Sequence, residues 1–292
     1  MTEIESNTLE LKRFRAYAEL LFASFTWALA TIIIKKYIGT IPSFHLLMGR
    51  FVAGTLFIFA LQPYNVVRIK KKDLKIGVPL GFLVFGAYVF GVICLKYTSA
   101  SKSGFLVSLS VLFIPLFETI RRKIAPSKWI VMSVAMSLVG MVLISGINGG
   151  GFNYGDMLAI ASSIIYTAYV LSLARYGKDI EETLLTLIQL AVVSVCCILA
   201  VIIFEGFSMQ YIKEGLIPIL IIGVLCTGVT TLLQTRAQKV ASPESAGILF
   251  LGEPLFTLIM SYFILNETIL FSGLVGAILI LSSLVIAVLK KI

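Results

Sequence analysis

Charge is what this 292-residue chain has least of. Asp, Glu, Lys and Arg make up 13% of it, about half the roughly 25% of an ordinary soluble domain. With 59% hydrophobic residues and a mean hydropathy of +1.01, the composition is that of a membrane protein and leaves no stretch for a soluble domain. Histidine occurs once, at His45, so a histidine-built metal centre is excluded, and no metal is expected. His45 reads first as a polar anchor at the membrane surface, with a proton relay as the alternative. The cysteines Cys94, Cys196, Cys197 and Cys226 form no C-x-x-C pair and read as packing side chains rather than ligands or disulfides. There is no Walker A loop and no H-E-x-x-H, and the glycine-rich Ser145 to Gly151 stretch follows no strand, so it reads as a loop rather than a phosphate cradle. No cofactor, no catalytic residue and no enzymatic activity are expected. Any work must be driven by a gradient or by the substrate itself.

What the chain has in excess is long apolar runs. Ten of them reach the length of about 17 to 25 residues that a helix needs to cross some 30 Å of hydrocarbon. They lie near 16–34, 43–62, 76–95, 102–119, 128–146, 155–174, 182–204, 215–234, 243–264 and 268–289. A transmembrane barrel would show shorter, alternating segments, so the expected fold class is an all-α integral membrane protein of ten transmembrane helices. The first run lacks a small-residue cleavage site and is followed by Lys35-Lys36, so it is expected to be retained.

The net charge of +9 is explained by where the cations fall. With the N terminus placed inside, the inner segments carry 18 of the 24 Lys and Arg, the outer segments 5, and Arg50 alone lies within a span. That excess obeys the positive-inside rule and puts both termini in the cytoplasm, in a bacterial or archaeal cytoplasmic membrane. The lipid bilayer is therefore the expected partner, and no nucleic acid is needed. The chain reads as either a monomer or a homodimer.

Shifting the sequence by 139 residues brings Trp27 over Tyr166, Arg50 over Gln189, Pro79 over Pro218 and Pro115 over Pro254. Ser133 and Gly140 align with Gly276 and Ser283 only after a slip of a few residues beyond Pro115. This divides the chain into a cytosolic arm (1–15), a first five-helix repeat (16–146), an outer linker (147–154) and a second five-helix repeat (155–289). Five is odd, so the second half must enter the membrane from the opposite face, the inverted-topology repeat of secondary transporters. Small residues cluster where the fourth and ninth spans open, at Ser99, Ala100, Ser101, Ser103 and Gly104 and at Ala241, Ser242, Ser245, Ala246 and Gly247. They suit either static close packing or sliding contacts.

Ten spans in two sets of five, Ser24-Phe25-Thr26-Trp27 in the first, Gly49-Arg50-Phe51 in the second, Tyr97-Thr98-Ser99-Ala100-Ser101, Ala241-Ser242-Pro243-Glu244-Ser245-Ala246, Glu253-Pro254 and Asn266-Glu267 occur in this order. The chain thereby resembles the EamA type of the drug/metabolite transporter superfamily, from about residue 16 to 289. The resemblance implies ten helices around a central cavity, and substrates that include amino acids, amines, nucleosides and drug-like metabolites, usually exported. Arg122-Lys123-Ile124-Ala125 departs from the pattern where an acidic residue matching Glu267 often stands.

Charged and aromatic residues inside the spans are the candidates for a site. A charge at the centre of a membrane helix costs about 2.5 to 3.5 kcal/mol on insertion scales, so it marks a function by default. Glu253 lies 9 residues beyond Glu244, roughly 13 Å along a helix, near the midplane. At the 139 shift it stands over Ile114, so it breaks the repeat. Pro254 removes the N–H that would bond the carbonyl of Phe250, predicting a kink and a free carbonyl, with Pro115 as the matching bend. On helical spacing Ala246, Phe250, Glu253, Thr257 and Met260 share a face. Desolvation favours the neutral acid at Glu253 and a nearby cation such as Arg50 favours the carboxylate, so Glu253 is the candidate for proton coupling and for substrate contact. Arg50 is placed to bind a substrate carboxylate, or to pair with Glu253 or Glu118. Trp27, Tyr88, Tyr166 and Tyr169 are candidates to stack on a substrate or to cage a quaternary amine. Gln234 is a candidate for the inner vestibule.

These readings favour a secondary active transporter of a small metabolite, working by alternating access with proton-coupled export or exchange. The alternatives are a uniporter or importer of a quaternary amine, a lipid-headgroup flippase or membrane enzyme using the midplane carboxylate, and a structural or signalling subunit. A flippase or membrane enzyme would call for a lateral opening and an inner cluster of acids, and the inner loops are basic instead. The scarcity of charge in the spans argues against a highly charged solute.

Overall fold

The computed structural model describes residues 3–123, 125–145, 153–266 and 271–289, and every regular element in them is helical. The glycine-rich loop from Gly146, Ile124, Glu267 and the terminal Lys290 and Lys291 lie outside the described residues. The elements run α1 (Glu3–Tyr37), α2 (Ser43–Leu61), α3 (Lys71–Cys94), α4 (Ala100–Val107), α5 (Ser110–Arg122), α6 (Lys128–Ser145), α7 (Tyr154–Tyr176) and α8 (Glu182–Ala200). Then follow α9 (Met209–Glu214), α10 (Leu216–Leu220), α11 (Thr230–Ala237), α12 (Pro243–Leu249), α13 (Gly252–Leu265) and α14 (Phe271–Leu289). Two π-helical segments, Val201–Glu205 and Ile221–Val229, extend α8 and join α10 to α11.

Helices are imposed by the medium, since hydrocarbon offers no partner to an exposed backbone N–H or carbonyl. Among the described residues seven helices are long and apolar enough to span a membrane, and Lys128–Gly140 and Phe271–Ser283 are shorter apolar helices. The expected fourth span is divided into α4 and α5 by a turn at Ser108–Leu109, and the ninth into α12 and α13 by a turn at Phe250–Leu251. At 35 residues, α1 is about 52 Å long and outruns the hydrocarbon thickness, so its first turns, with Lys12, Arg13 and Arg15, project beyond the core.

The helices pack α6 on α14, α3 on α7 and α8, α2 on α8 and on the Ile221–Val229 segment, and α1 on α11 and α13. The α2 contact is close enough to need glycine. A Cβ on Gly223 would lie 2.6 Å from that of Ala53 and 2.7 Å from the Arg50 carbonyl oxygen. All four cysteines are free, and Cys94 Sγ donates to the Gly91 carbonyl at 3.0 Å. His45 is fully buried, an anchor within the protein rather than at its surface. Its Nε2 accepts from the Ser208 N–H at 3.2 Å, so Nδ1 carries the proton and donates to Glu205 at 2.8 Å.

The structural landmarks of the two halves fall into two registers. α1 and α7 end at Tyr37 and Tyr176, and α2 and α8 begin at Ser43 and Glu182, both 139 residues apart. Thr55 and Ser194, also 139 apart, share a hydrogen bond of 2.9 Å where α2 crosses α8. From the end of α3 onward the spacing is 143. Cys94 and Ala237 end α3 and α11, Ser99 and Ser242 cap α4 and α12 through their side chains, and Lys123 and Asn266 close α5 and α13 with left-handed φ of 55° and 54°. The slip lies before Ser99, not beyond Pro115, in the stretch where the second half winds as a π-helix and takes more residues per turn. Two expectations are thereby corrected. Pro115 and Pro254 are not counterparts, since Pro115 lies inside α5 while Pro254 lies in the first turn of α13. Glu253 stands over Ser110, not Ile114.

Candidate functional site

The site forms where the two interrupted helices meet α1, α2, α3 and α7. Because the ninth span breaks at Phe250–Leu251, Glu253 falls in the first turn of α13, where the unpaired amide groups of a helix start favour a carboxylate. Pro254 costs no ladder bond there, because first-turn N–H groups have no intrahelical partner. The Phe250 carbonyl is not free, as the lost proline bond would suggest. It accepts from the Glu253 N–H at 2.9 Å, so the chain bends by a tight turn. The Leu249 carbonyl exposed by the same break accepts from Ser24 Oγ at 2.9 Å, a cap supplied by α1.

A cavity of about 90 Å³ lies in front of this break, with Glu253, Arg50, Trp27, Tyr88, Tyr166 and Phe250 among its lining. Five of the seven residues expected at the site are thus brought together. The aromatic wall is a connected set. Trp27 meets Tyr166 edge-on at 5.8 Å between ring centroids and Phe250 at 5.0 Å, and Tyr166 lies 6.0 Å from Phe250. The rest of the lining includes small and hydroxylated residues, with Ser103 and Gly104 from α4, Ser108 from the turn after it, Ser110 from α5 and Ser162 from α7. The Ser108 hydroxyl is buried and has no hydrogen-bond partner among the described residues.

Arg50 is buried at 2% exposure and held on three sides. Nε donates to Thr227 Oγ1, Nη2 donates to the Cys226 carbonyl at 3.2 Å, and the guanidinium lies 4.5 Å from the centroid of the Tyr88 ring, within cation-π range. Thr227 Oγ1 in turn donates to the Ile222 carbonyl at 2.7 Å, so the π-helical segment fixes the group that fixes Arg50. Neither expected ion pair of Arg50 forms. Glu118 binds Arg121 at 2.6 and 3.1 Å, and the Glu253 carboxylate makes no hydrogen bond or ion pair among the described residues. The cavity therefore presents one cation and one acid, both uncommitted to each other.

Tyr169 and Gln234 are not brought to the cavity wall. Tyr169 is buried behind Tyr166, with its hydroxyl donating to Gln189 Oε1 at 2.8 Å. Gln234 Nε2 donates to the Tyr166 hydroxyl at 2.8 Å and to Gln238 Oε1 at 3.1 Å, so it braces the aromatic wall from behind rather than lining a vestibule. Of the expected shared face, Phe250 and Glu253 reach the cavity, while Ala246 and Thr257 are buried in helix contacts. The hydroxyl wall and Thr227 were missed in the sequence. The small-residue string at Ser99 to Gly104 signalled close packing there, but not its exposure to a cavity.

Beyond the aromatic wall, towards the N-terminal end of α1, side chains tie the helices to one another. Thr26 and Thr230 share a hydrogen bond of 2.6 Å, Arg236 and Arg15 both bind Glu19, and Lys239 binds Glu182 at 2.8 Å. Apolar helices of spanning length around a cavity that holds opposite charges are the build of a multi-pass membrane protein. The EamA-like transporter family matches residues 15–146 and 153–289, and the chain belongs to that family. It is similar to two proteins of Archaeoglobus fulgidus, each described as an uncharacterized transporter. One is 26% identical over 96% of this chain and 88% of the relative, the other 23% identical over 91% and 94%. A Clostridium kluyveri protein with the same description is 24% identical over 83% of this chain and 82% of its own. A protein of known crystal structure shares the fold, with a TM-score of 0.74 over 97% of both chains at 19% identity.

Proposed function

We propose that the chain is a secondary active transporter of a small zwitterionic metabolite, such as an amino acid with an apolar side chain, in the cytoplasmic membrane. The observation that carries this reading is that Arg50 and Glu253 line one cavity without pairing. A solute carboxylate would take the free edge of the Arg50 guanidinium and its ammonium would take Glu253. The apolar remainder would lie against Trp27, Tyr166 and Phe250. A solute without a carboxylate would leave the buried Arg50 unmatched, at a cost of several kcal/mol, and one without an ammonium would leave Glu253 to be neutralised by a proton.

Ten spans arranged as two inverted five-helix repeats, with both termini in the cytoplasm, suit this chemistry. In that orientation the cavity residues lie towards the outer ends of their helices, from Trp27 to Ile34 on α1 and from Ala87 to Leu95 on α3. The tied end with Glu19, Arg236, Glu182 and Lys239 then faces the cytoplasm, which is the outward-facing arrangement. Alternating access exchanges these two ends, with the turns at Ser108–Leu109 and Phe250–Leu251, beside Pro115 and Pro254, as bend points. Glu253 takes up a proton when no ammonium is present, which couples export or exchange to the proton gradient.

The test is counterflow in proteoliposomes loaded with an apolar amino acid. Amino acids should exchange, while the matching amides, which lack the carboxylate, and the matching deaminated acids should exchange at least about tenfold more slowly. Equal exchange of the amides would point instead to an amine carrier that does not use Arg50.

A further inference from the structure

A second charged surface has no part in the cavity. It lies in the turn between α2 and α3, a 3-10 segment Pro63–Arg68 followed by the start of α3, and so at a membrane surface between two spans. Arg68, Lys70, Lys71, Lys72 and Lys75 are all exposed, and among the described residues none of them has an ion pair. The one acid in the stretch, Asp73, is buried and accepts from the Lys70 N–H at 3.0 Å, so it is spent on starting α3. Beside the cations stand two of the most exposed apolar side chains described, Tyr64 at 77% and Val67 at 88%, with Leu74 also exposed. Orientation rules account for cations at a membrane surface but not for bare apolar side chains in their midst.

We propose that this turn binds the phosphate headgroup of an anionic phospholipid. Phosphate takes the place of the missing acidic partners, and Tyr64, Val67 and Leu74 seat at the boundary between headgroup and acyl chain, where a tyrosine places its ring in oil and its hydroxyl in water. An aqueous anion would use the cations and leave the apolar side chains bare, and a lipid uses both. The site is separate from the transport cavity and does not depend on which solute the protein carries.

The test is thermal unfolding of the purified full chain in neutral detergent, titrated with phosphatidylglycerol, phosphatidylcholine or inorganic phosphate. Phosphatidylglycerol should raise the melting temperature saturably, and the other two should not. In the combined variant Lys70→Gln, Lys71→Gln, Lys72→Gln and Lys75→Gln the half-saturating concentration of phosphatidylglycerol should rise by about tenfold or more. Arg175→Gln with Lys178→Gln, at the end of α7 and in the turn after it, should leave it unchanged. Equal stabilisation by phosphatidylcholine or phosphate, or an undiminished response in the combined variant, overturns the proposal. Should that variant fail to fold, spin-labelled phosphatidylglycerol on the wild-type chain decides. Its motionally restricted fraction should exceed that of spin-labelled phosphatidylcholine and fall in high salt, and equal fractions for the two lipids overturn it.

Discussion

Arg50 and Glu253 face the same cavity and do not touch. Arg50 is bound by Thr227, the Cys226 carbonyl and the ring of Tyr88, while Glu253 stands in the first turn of α13. Two opposite charges in one apolar cavity would ordinarily collapse into an ion pair, and here the neighbouring Ile221–Val229 segment and Tyr88 hold the guanidinium instead. A cavity poised in this way is complementary to a solute that carries both charges at once.

The hold on Arg50 is separable from its charge. Thr227→Val removes the acceptor of Nε but leaves the guanidinium, so the protein should fold, and the half-saturating substrate concentration should rise by several-fold for a hydrogen bond of about 1 kcal/mol. Arg50→Gln should raise it much further, because the solute carboxylate would then be buried unpaired. Direct substrate binding to both purified variants checks this, and equal effects of the two substitutions would contradict it.

The close contact of α2 with the π-helical segment should govern stability. Gly223→Val places carbon 2.6 Å from the Ala53 Cβ and should cost about 1 to 3 kcal/mol or prevent assembly. Gly39→Ala meets nothing within 4 Å and should be neutral to within about 0.5 kcal/mol. Melting temperatures in detergent compare the two.

Much of this site was legible in the sequence because charge and aromatic side chains are so sparse in the spans. Trp27, Arg50, Tyr88, Tyr166 and Glu253 stood out against an apolar background, and all five line the cavity. Tyr169 and Gln234 stood out equally and lie behind the wall, because composition registers a polar group without telling which side of a helix it occupies. The register of the repeat failed for a different reason. A constant shift assumes constant helical winding, and the Ile221–Val229 segment is wound as a π-helix, so the shift of 139 that holds for α1 and α2 becomes 143 by the end of α3. Two prolines that seemed paired were therefore unrelated, while Ser110, the true counterpart of Glu253, faces the same cavity.

The ties at the closed end should set the balance between conformations. Glu19→Gln weakens the bonds from Arg15 and Arg236, which are partly exposed, so the bias released is about 1 kcal/mol. In a chain with its native cysteines replaced, a cysteine at Thr26, now buried against Thr230, should react with a small maleimide several-fold faster once Glu19 is changed. An unchanged rate would show that these ion pairs do not restrain opening.

The central claim is that the uncommitted carboxylate of Glu253 both receives the solute and carries the proton. Glu253→Gln keeps the side chain's shape and removes its charge. Purified and reconstituted, it should remain folded, lose uptake driven by an imposed pH gradient, and show no pH dependence in any residual exchange between pH 5 and 8. Gradient-driven transport by Glu253→Gln at the wild-type rate and with the wild-type pH profile would contradict the account.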